Sequence, residues 1–269
     1  MITVLDDNTQ ATPSLSSALR SEWIKIRSVR STIITLGVMV ILGIGISDLA
    51  SLAGRAAVTR HAHHIINPVS QSLSGMLLAQ IVIGVLGVLA FTGEISSNTI
   101  KTSVAAIPNR TVLLTAKLIT FAVISVVVSE IVAFACFFSG QAIMSGPIAT
   151  ASISQPHVFG AVAGTGLFVA LLSIFALSLG VIIRRSAGAI SAFVGLYLVL
   201  PLLVAPLPSP YSTDISKFLP FNVARTLDTI ASTSSSTTSF APLTGFLLVA
   251  LYTAVMVGVA YYLLNSRDV

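Results

Sequence analysis

The sequence predicts an all-α membrane protein with about six transmembrane helices. Three observations predict it: a composition too apolar for a water-facing surface, six apolar runs of bilayer length, and an uneven placement of Lys and Arg. Of 269 residues, 55% are hydrophobic and 9% charged, with a mean hydropathy of +0.97. Soluble domains carry about 25% charged residues, so the apolar excess has to face lipid. The net charge is +5, but the basic residues flank the apolar runs, where headgroups lie. They form no stripe interleaved with aromatic rings, which argues against a nucleic-acid partner. Cys136 is the single cysteine and falls inside an apolar run, so it reads as a buried structural thiol with no intrachain disulfide.

Residues 1–13 are polar and are expected to be poorly ordered. The first thirty residues carry no apolar core followed by a small-residue cleavage site, so no cleaved signal peptide is expected. Ser14 suits the N-cap of a helix in which Leu15, Leu19, Trp23 and Ile26 recur at spacings of three or four. Arg20, Lys25, Arg27 and Arg30 flank that stripe, with Glu22 the only acid among them. A basic amphipathic helix just ahead of a span predicts a helix lying in the membrane interface. The alternative is a cytosolic helix packed on a partner. Residues 1–31 therefore read as a cytoplasmic tail with an interfacial helix, and 32–269 as a six-span transmembrane unit.

The six apolar runs fall at 33–52, 74–91, 118–139, 158–183, 187–207 and 243–264, each near the roughly 20 residues a bilayer crossing needs. The fourth is long enough to tilt. Pro201, Pro206, Pro208 and Pro210 predict a kink and then the end of the fifth helix. With the N-terminus inside, the inner segments hold ten Lys and Arg and the outer ones four. That bias places both termini in the cytoplasm. Two connections are longer than a simple turn: 92–117 inside and 208–242 outside. In the outer one, 232–239 is a Ser/Thr run. Residues 215–227 carry helical spacing through Ile215, Phe218, Leu219, Val223 and Leu227, interrupted at Pro220 and Asn222, which predicts two short helices at the outer surface.

Enzyme signatures are missing: there is no Walker phosphate loop, no Gly-x-Ser-x-Gly elbow and no His-Glu-x-x-His pair. Leu73-Ser74-Gly75-Met76 matches part of a nucleotide-binding signature, but no phosphate loop accompanies it and it reads as a coincidence. His61, His63 and His64 cluster in the first outer connection without a nearby Cys, Asp or Glu, so a solvated loop is expected there and no metal. Asp48 lies near the outer end of the first span and is expected to reach water. Glu130 falls near the middle of the third span, where an ionisable group is costly. It either lines a translocation path or makes an interhelical hydrogen bond, with Ser125 and Ser129 as neighbours. Glycine pairs such as Gly160-x-x-x-Gly164 are expected to let helices approach closely.

Residues 92–117 read TGEISSNTIKTSVAAIPNRTVLLTAK. A short amphipathic segment with Ile95, Ile100 and Val104 on its apolar side is followed by a turn at Pro108-Asn109. Arg110 to Lys117 then leads into the third span. Such a helix-turn-helix is what a membrane subunit offers to a soluble partner.

This stretch resembles the first cytoplasmic loop of type-2 permeases of ATP-binding-cassette exporters, where Gly-Glu is followed by Gly-Thr-Ile or Gly-Thr-Leu and then by Pro, Arg and Lys. The matching residues are Gly93-Glu94, Thr99-Ile100, Pro108, Arg110 and Lys117, with Asn98 where that family usually has Gly. Ala18 to Trp23 and Lys25 to Ser28 resemble actinobacterial members, and Phe218-Leu219-Pro220 resembles their re-entrant outer helices. The resemblance implies a permease without its own ATPase, working with a cassette ATPase subunit and a second permease copy or paralogue in the bacterial cell membrane. It implies no cofactor in this chain, ATP and Mg being held by the partner. It also implies a coupling helix over 94–106, with Glu94, Ile95, Thr99, Ile100, Lys101, Val104 and Arg110 coupling to the ATPase. The expected activity is export of a hydrophobic or amphipathic compound such as a drug, antibiotic, lipid or peptide. The competing expectation is a proton-coupled secondary transporter in which Glu130 titrates.

Overall fold

The computed structural model describes residues 14–60, 66–107, 109–146, 148, 150–228 and 242–266. The tail 1–13, His61, His63, His64, Pro108, the run 232–239 and Arg267 lie outside the described residues. The described residues form helices and no strand. Six helices are long and apolar enough to cross a membrane, in agreement with the six expected spans. The chain is an all-α membrane protein.

Helix α1 (Leu15–Ser28) precedes the first span, α2 (Arg30–Arg60). The second span joins α3 (Pro68–Leu73) to α4 (Met76–Ser96) across Ser74-Gly75. A short helix α5 (Thr99–Ala106) leads to the third span, α6 (Arg110–Met144), and the fourth is α7 (Val158–Ile183). The fifth comprises α8 (Ser186–Val194), a π-helical turn Gly195–Val199 and α9 (Leu200–Val204). Short helices α10 (Tyr211–Ser216) and α11 (Pro220–Asp228) precede the last span, α12 (Pro242–Ser266).

Several boundaries move outward from the apolar runs for one reason. Once nucleated, a helix continues into polar residues beyond the hydrocarbon, whereas hydropathy marks only the apolar part. Thus α6 begins at Arg110, ahead of the run at 118. There the Asn109 Oδ1 accepts from the N–H groups of Thr111 and Val112 at 3.1 and 3.3 Å. The second span begins at Pro68 in the same way, with Asn67 Oδ1 accepting from Val69 and Ser70 N–H and Pro supplying a first helical residue that needs no donor.

The fifth span changes from α to π geometry ahead of Pro201. Pro201 has no N–H to offer the carbonyl one turn back, and its ring crowds that carbonyl. Leu200 instead donates to Gly195, five residues back, and the backbone widens into a π turn. The two outer helices form as expected, but Pro220 opens the second rather than interrupting one.

Helix α7 is the centre of the bundle, packing against α4, α6, α12, α8 and α11. Its contact with α4 is nearly backbone to backbone: a β-carbon on Gly87 would sit 2.4 Å from Ser173 O, and one on Gly180 would sit 2.9 Å from Val88 O. In lipid, where apolar burial gives no net drive, such close packing is what holds helices together. A β-carbon on Gly160 would meet nothing within 4 Å in this chain, whereas one on Gly166 would come 2.6 Å from Glu130 Cδ of α6.

Candidate functional site

One end of the bundle gathers α1, the last turn of α4, α5, the first turns of α6 and the end of α12. The chain leaves α4 through Ser97, whose Oγ donates to Gly93 O at 2.8 Å. It reverses at Asn98, whose φ of 56° is left-handed. Asn is among the few residues with a Cβ that adopt this conformation readily. This backbone requirement explains why the resembled loop prefers Gly there, and why Asn serves.

Helix α5 then lies against the end of the bundle. Ile100 is buried with Phe91, Leu114 and Leu118, and Ile95 packs beside it. Ile107 is buried with Ala18, Leu113 and Ala116. Thr99, Thr102 and Ala105 recur at a spacing of three and are exposed, as are Ser96, Ser97 and Asn98. The side chains of Lys101 and Val104 lie outside the described residues. Of the residues singled out for coupling, Thr99 therefore faces outward, whereas Ile95 and Ile100 face the bundle. Arg110 directs Nη1 to Leu264 O at 3.4 Å, at the C-terminal turn of α12, where a cation complements the helix dipole.

Glu94 turns inward as well. Lys117 Nζ lies 2.6 Å from Glu22 Oε2 and 2.7 Å from Glu94 Oε1. Lys25 Nζ lies 2.6 Å from Glu22 Oε1 and 3.2 Å from Glu94 Oε1, and donates to Ser103 Oγ at 3.0 Å. The side chains of Glu22 and Lys117 are only 2% and 6% exposed. Two carboxylates and two ammoniums thus form a neutral set that ties α1, α4 and α6 together and reaches α5 through Ser103. A buried ion pair repays its desolvation only when geometry and hydrogen bonding are good; alternation of sign supplies the geometry here, while Glu94 makes both its ion pairs through Oε1 and its Oε2 is buried without a hydrogen-bond partner. The sequence offered a weak signal for this set: a single acid in a basic helix, and a Glu and a Lys closing the two ends of one loop.

Burial pushes the Glu22 carboxyl up, but the ammoniums of Lys117 and Lys25 outweigh it and hold the group below its ordinary value of 4.5. Burial likewise pulls the Lys25 ammonium down, and Glu22 and Glu94 outweigh that, holding it above 10.5. The Glu22 contribution is therefore present above pH ~4.5 and lost as pH falls through its depressed value. The Lys25 contribution is present below pH ~10.5 and lost as pH rises through its raised one. Trp23, the one tryptophan, sits beside Glu22 on α1 and is 44% exposed. Its fluorescence is expected to hold steady from about pH 5 to 10 and to change as α1 loosens on either side. Substituting Glu22→Gln should abolish the acid limb of that profile.

The apolar stripe of α1 is not its packing face. Ala18 and Glu22 are buried against the bundle, whereas Leu15 and Trp23 are exposed and Leu19 and Ile26 half-buried. At ~100° per residue, the two stripes stand about a quarter turn apart. Elsewhere, Glu130 lies near the middle of α6 against Gly166 of α7. It makes neither of the hydrogen bonds considered for it: Ser129 Oγ serves Ser125 O and Gly166 O, and both Glu130 oxygens are buried without a hydrogen-bond partner. Asp48 does not reach water fully, since its Oδ1 is buried without one too.

A family model described as ABC-2 family transporter protein matches residues 18–207, from the first turn of α1 to just past the fifth span. No curated protein matches the chain.

Proposed function

The chain belongs to the ABC-2 family of transporter proteins, and from that premise, a multi-pass permease subunit, we propose that it exports a hydrophobic or amphipathic compound using ATP hydrolysed by a separate cassette ATPase. The proposed assembly has two permeases, this chain with a second copy or a paralogue, in the bacterial cell membrane with both termini cytoplasmic. The observation that carries the reading is the way α5 is held. Its inner face is locked to the bundle through Ile100 and through the Ser103–Lys25 bond, while its outer face is left polar and open.

ATP binding shifts a permease between states only if the ATPase touches the two states differently. A short rod seated in the ATPase and fastened to α1, α4 and α6 by paired charges moves those three elements together. Thr99, Thr102 and Ala105 are the surface this assigns to the ATPase. Ile95, Ile100 and Glu94 act through packing and ion pairs. The exposed Leu15, Trp23 and Ile24, flanked by exposed Arg20 and Arg27, suit an interfacial position for α1, with the rings at headgroup depth and the charges on anionic lipid. Family membership favours ATP over a proton gradient as the energy source.

The test is co-expression with a cassette ATPase encoded beside the chain. Thr102→Arg is expected to reduce co-purification of that ATPase by roughly tenfold, a loss of ~1.4 kcal/mol, without lowering the permease's melting temperature. Ile100→Asp should lower both. If no cassette ATPase co-purifies with the wild type, or if Thr102→Arg transports normally, the reading is wrong.

A further inference from the structure

Glu130 is the one membrane-embedded carboxylate of α6, and its surroundings describe what it is built to meet. Neither oxygen has a hydrogen-bond partner. The group packs so closely on α7 that a β-carbon at Gly166 would come within 2.6 Å of its Cδ, so the missing side chain at 166 is what leaves room for it. The Gly166 carbonyl is itself occupied by Ser129 Oγ at 2.8 Å.

One turn along the same stripe stands Phe134, whose side chain leans back toward Glu130 because helical side chains tilt toward the N-terminus. Phe134 meets Phe159 of α7 at a centroid distance of 6.0 Å and Phe138 at 6.4 Å. Phe138 and Phe159 are 55% and 60% exposed, and Val127 and Ile131 beside Glu130 are 52% and 60% exposed. A buried, unpartnered carboxyl one helical turn from Phe134, whose ring in turn meets the exposed Phe138 and Phe159, has the chemistry that recognises an organic ammonium: charge pairing at one end, ring faces along the α6–α7 seam, and apolar contact for the rest.

Among the described residues, none supplies a cation here. Each described Lys and Arg lies in a connection, in a short helix, or within about two turns of a helix end. Glu130 is 20 residues past the start of α6 and 14 short of its end. A second copy of this chain therefore brings no basic side chain to that depth. A hydrated divalent metal is ill served, because it wants several oxygen ligands and no group of three His, Cys, Asp or Glu that could hold one occurs among the described residues.

We propose that Glu130, Phe134 and Phe159 form a recognition subsite for the cationic head of an amphipathic ammonium compound, which makes such cations the substrate class. The assignment rests on the transport reading above and narrows it.

The experiment measures binding of radiolabelled tetraphenylphosphonium, a permanently charged lipophilic cation, to the full chain in phosphatidylcholine nanodiscs without any ATPase. Saturable binding is expected, weakened at least about tenfold by Glu130→Gln. Glu130→Asp should stay within a few-fold of wild type, and Phe159→Leu should weaken binding several-fold. Tetraphenylborate, of the same shape and opposite charge, should not compete. The proposal is overturned if the wild type shows no saturable binding, if Glu130→Gln binds as the wild type does, or if tetraphenylborate competes equally. A group that carries only a proton would give the second of these results. Should Glu130→Gln misfold by size-exclusion chromatography, Phe159→Leu and the borate control decide the question. Because no ATPase is present, failure here leaves the coupling reading standing, and loss of ATPase co-purification leaves this binding standing.

Discussion

Lys117→Met is expected to destabilise the protein by about 3–5 kcal/mol, the cost of stripping one partner from a buried ion pair. The ammonium it removes is the one that touches both Glu22 and Glu94, at 2.6 and 2.7 Å. Lys25 alone would then face two carboxylates, one of them 2% exposed. The expected sequence of events is release of α1 first, seen as a change in Trp23 fluorescence, followed by a lower midpoint in the helical circular dichroism transition. Adding Glu22→Gln and Glu94→Gln to Lys117→Met should recover part of the loss, since no buried carboxylate is then left short of a cation and the Lys25 ammonium, its side chain 35% exposed, can turn to water. Transport should not recover with it, because the ion pairs that join Lys25, and through it α5, to α4 and α6 are gone. If the single and the triple substitution unfold at the same midpoint, the charges are not coupled as the geometry requires.

Gly75→Ala should cost about 3 kcal/mol, at the upper end of the overpacking range. The added carbon would lie 1.9 Å from Gly43 O and 2.7 Å from Ser47 N. Both are backbone atoms of α2, so no rotamer change relieves the clash and the two spans have to part. Parting them also breaks the Gly75 N–H bond to Ser47 Oγ, 3.0 Å long. Gly45→Ala provides the control, because a β-carbon there meets nothing within 4 Å. It should stabilise by up to ~1 kcal/mol through helix propensity. Thermal melts of the two variants in one detergent check the contrast. Equal melting temperatures would mean that α2 and α4 do not cross where described.

Leu73-Ser74-Gly75-Met76 marks the point where the second span slips past the first, with Gly75 against Gly43 and Ser47. The loop 92–117 was legible as a helix between two spans because Pro108 and Asn109 break it and its apolar residues recur at helical spacing. Which way its residues point was not. The periodicity marked Ile95 and Ile100 as one face, and that face turned out to hold the rod down, leaving Thr99, which the resemblance had singled out, outside with Thr102 and Ala105, which nothing had. Glu94 carries the resemblance to the family loop, but no local pattern announces that Lys117, 23 residues on, and Glu22, 72 residues back, will share its pocket.

What the amino-acid sequence determined unaided was the number, order and approximate ends of the spans, and the family with them. Lipid offers no partner to a bare peptide group, so any run of about 20 apolar residues is obliged to be a helix. The tertiary structure alone decided which side of each span faces inward. A helix in water announces its buried side by being apolar there and polar elsewhere. A helix in hydrocarbon is apolar all round, and small residues, ring contacts and a few charges choose its neighbours. That is why Gly166 rather than Gly160 meets α6, and why Glu130 is left without a partner.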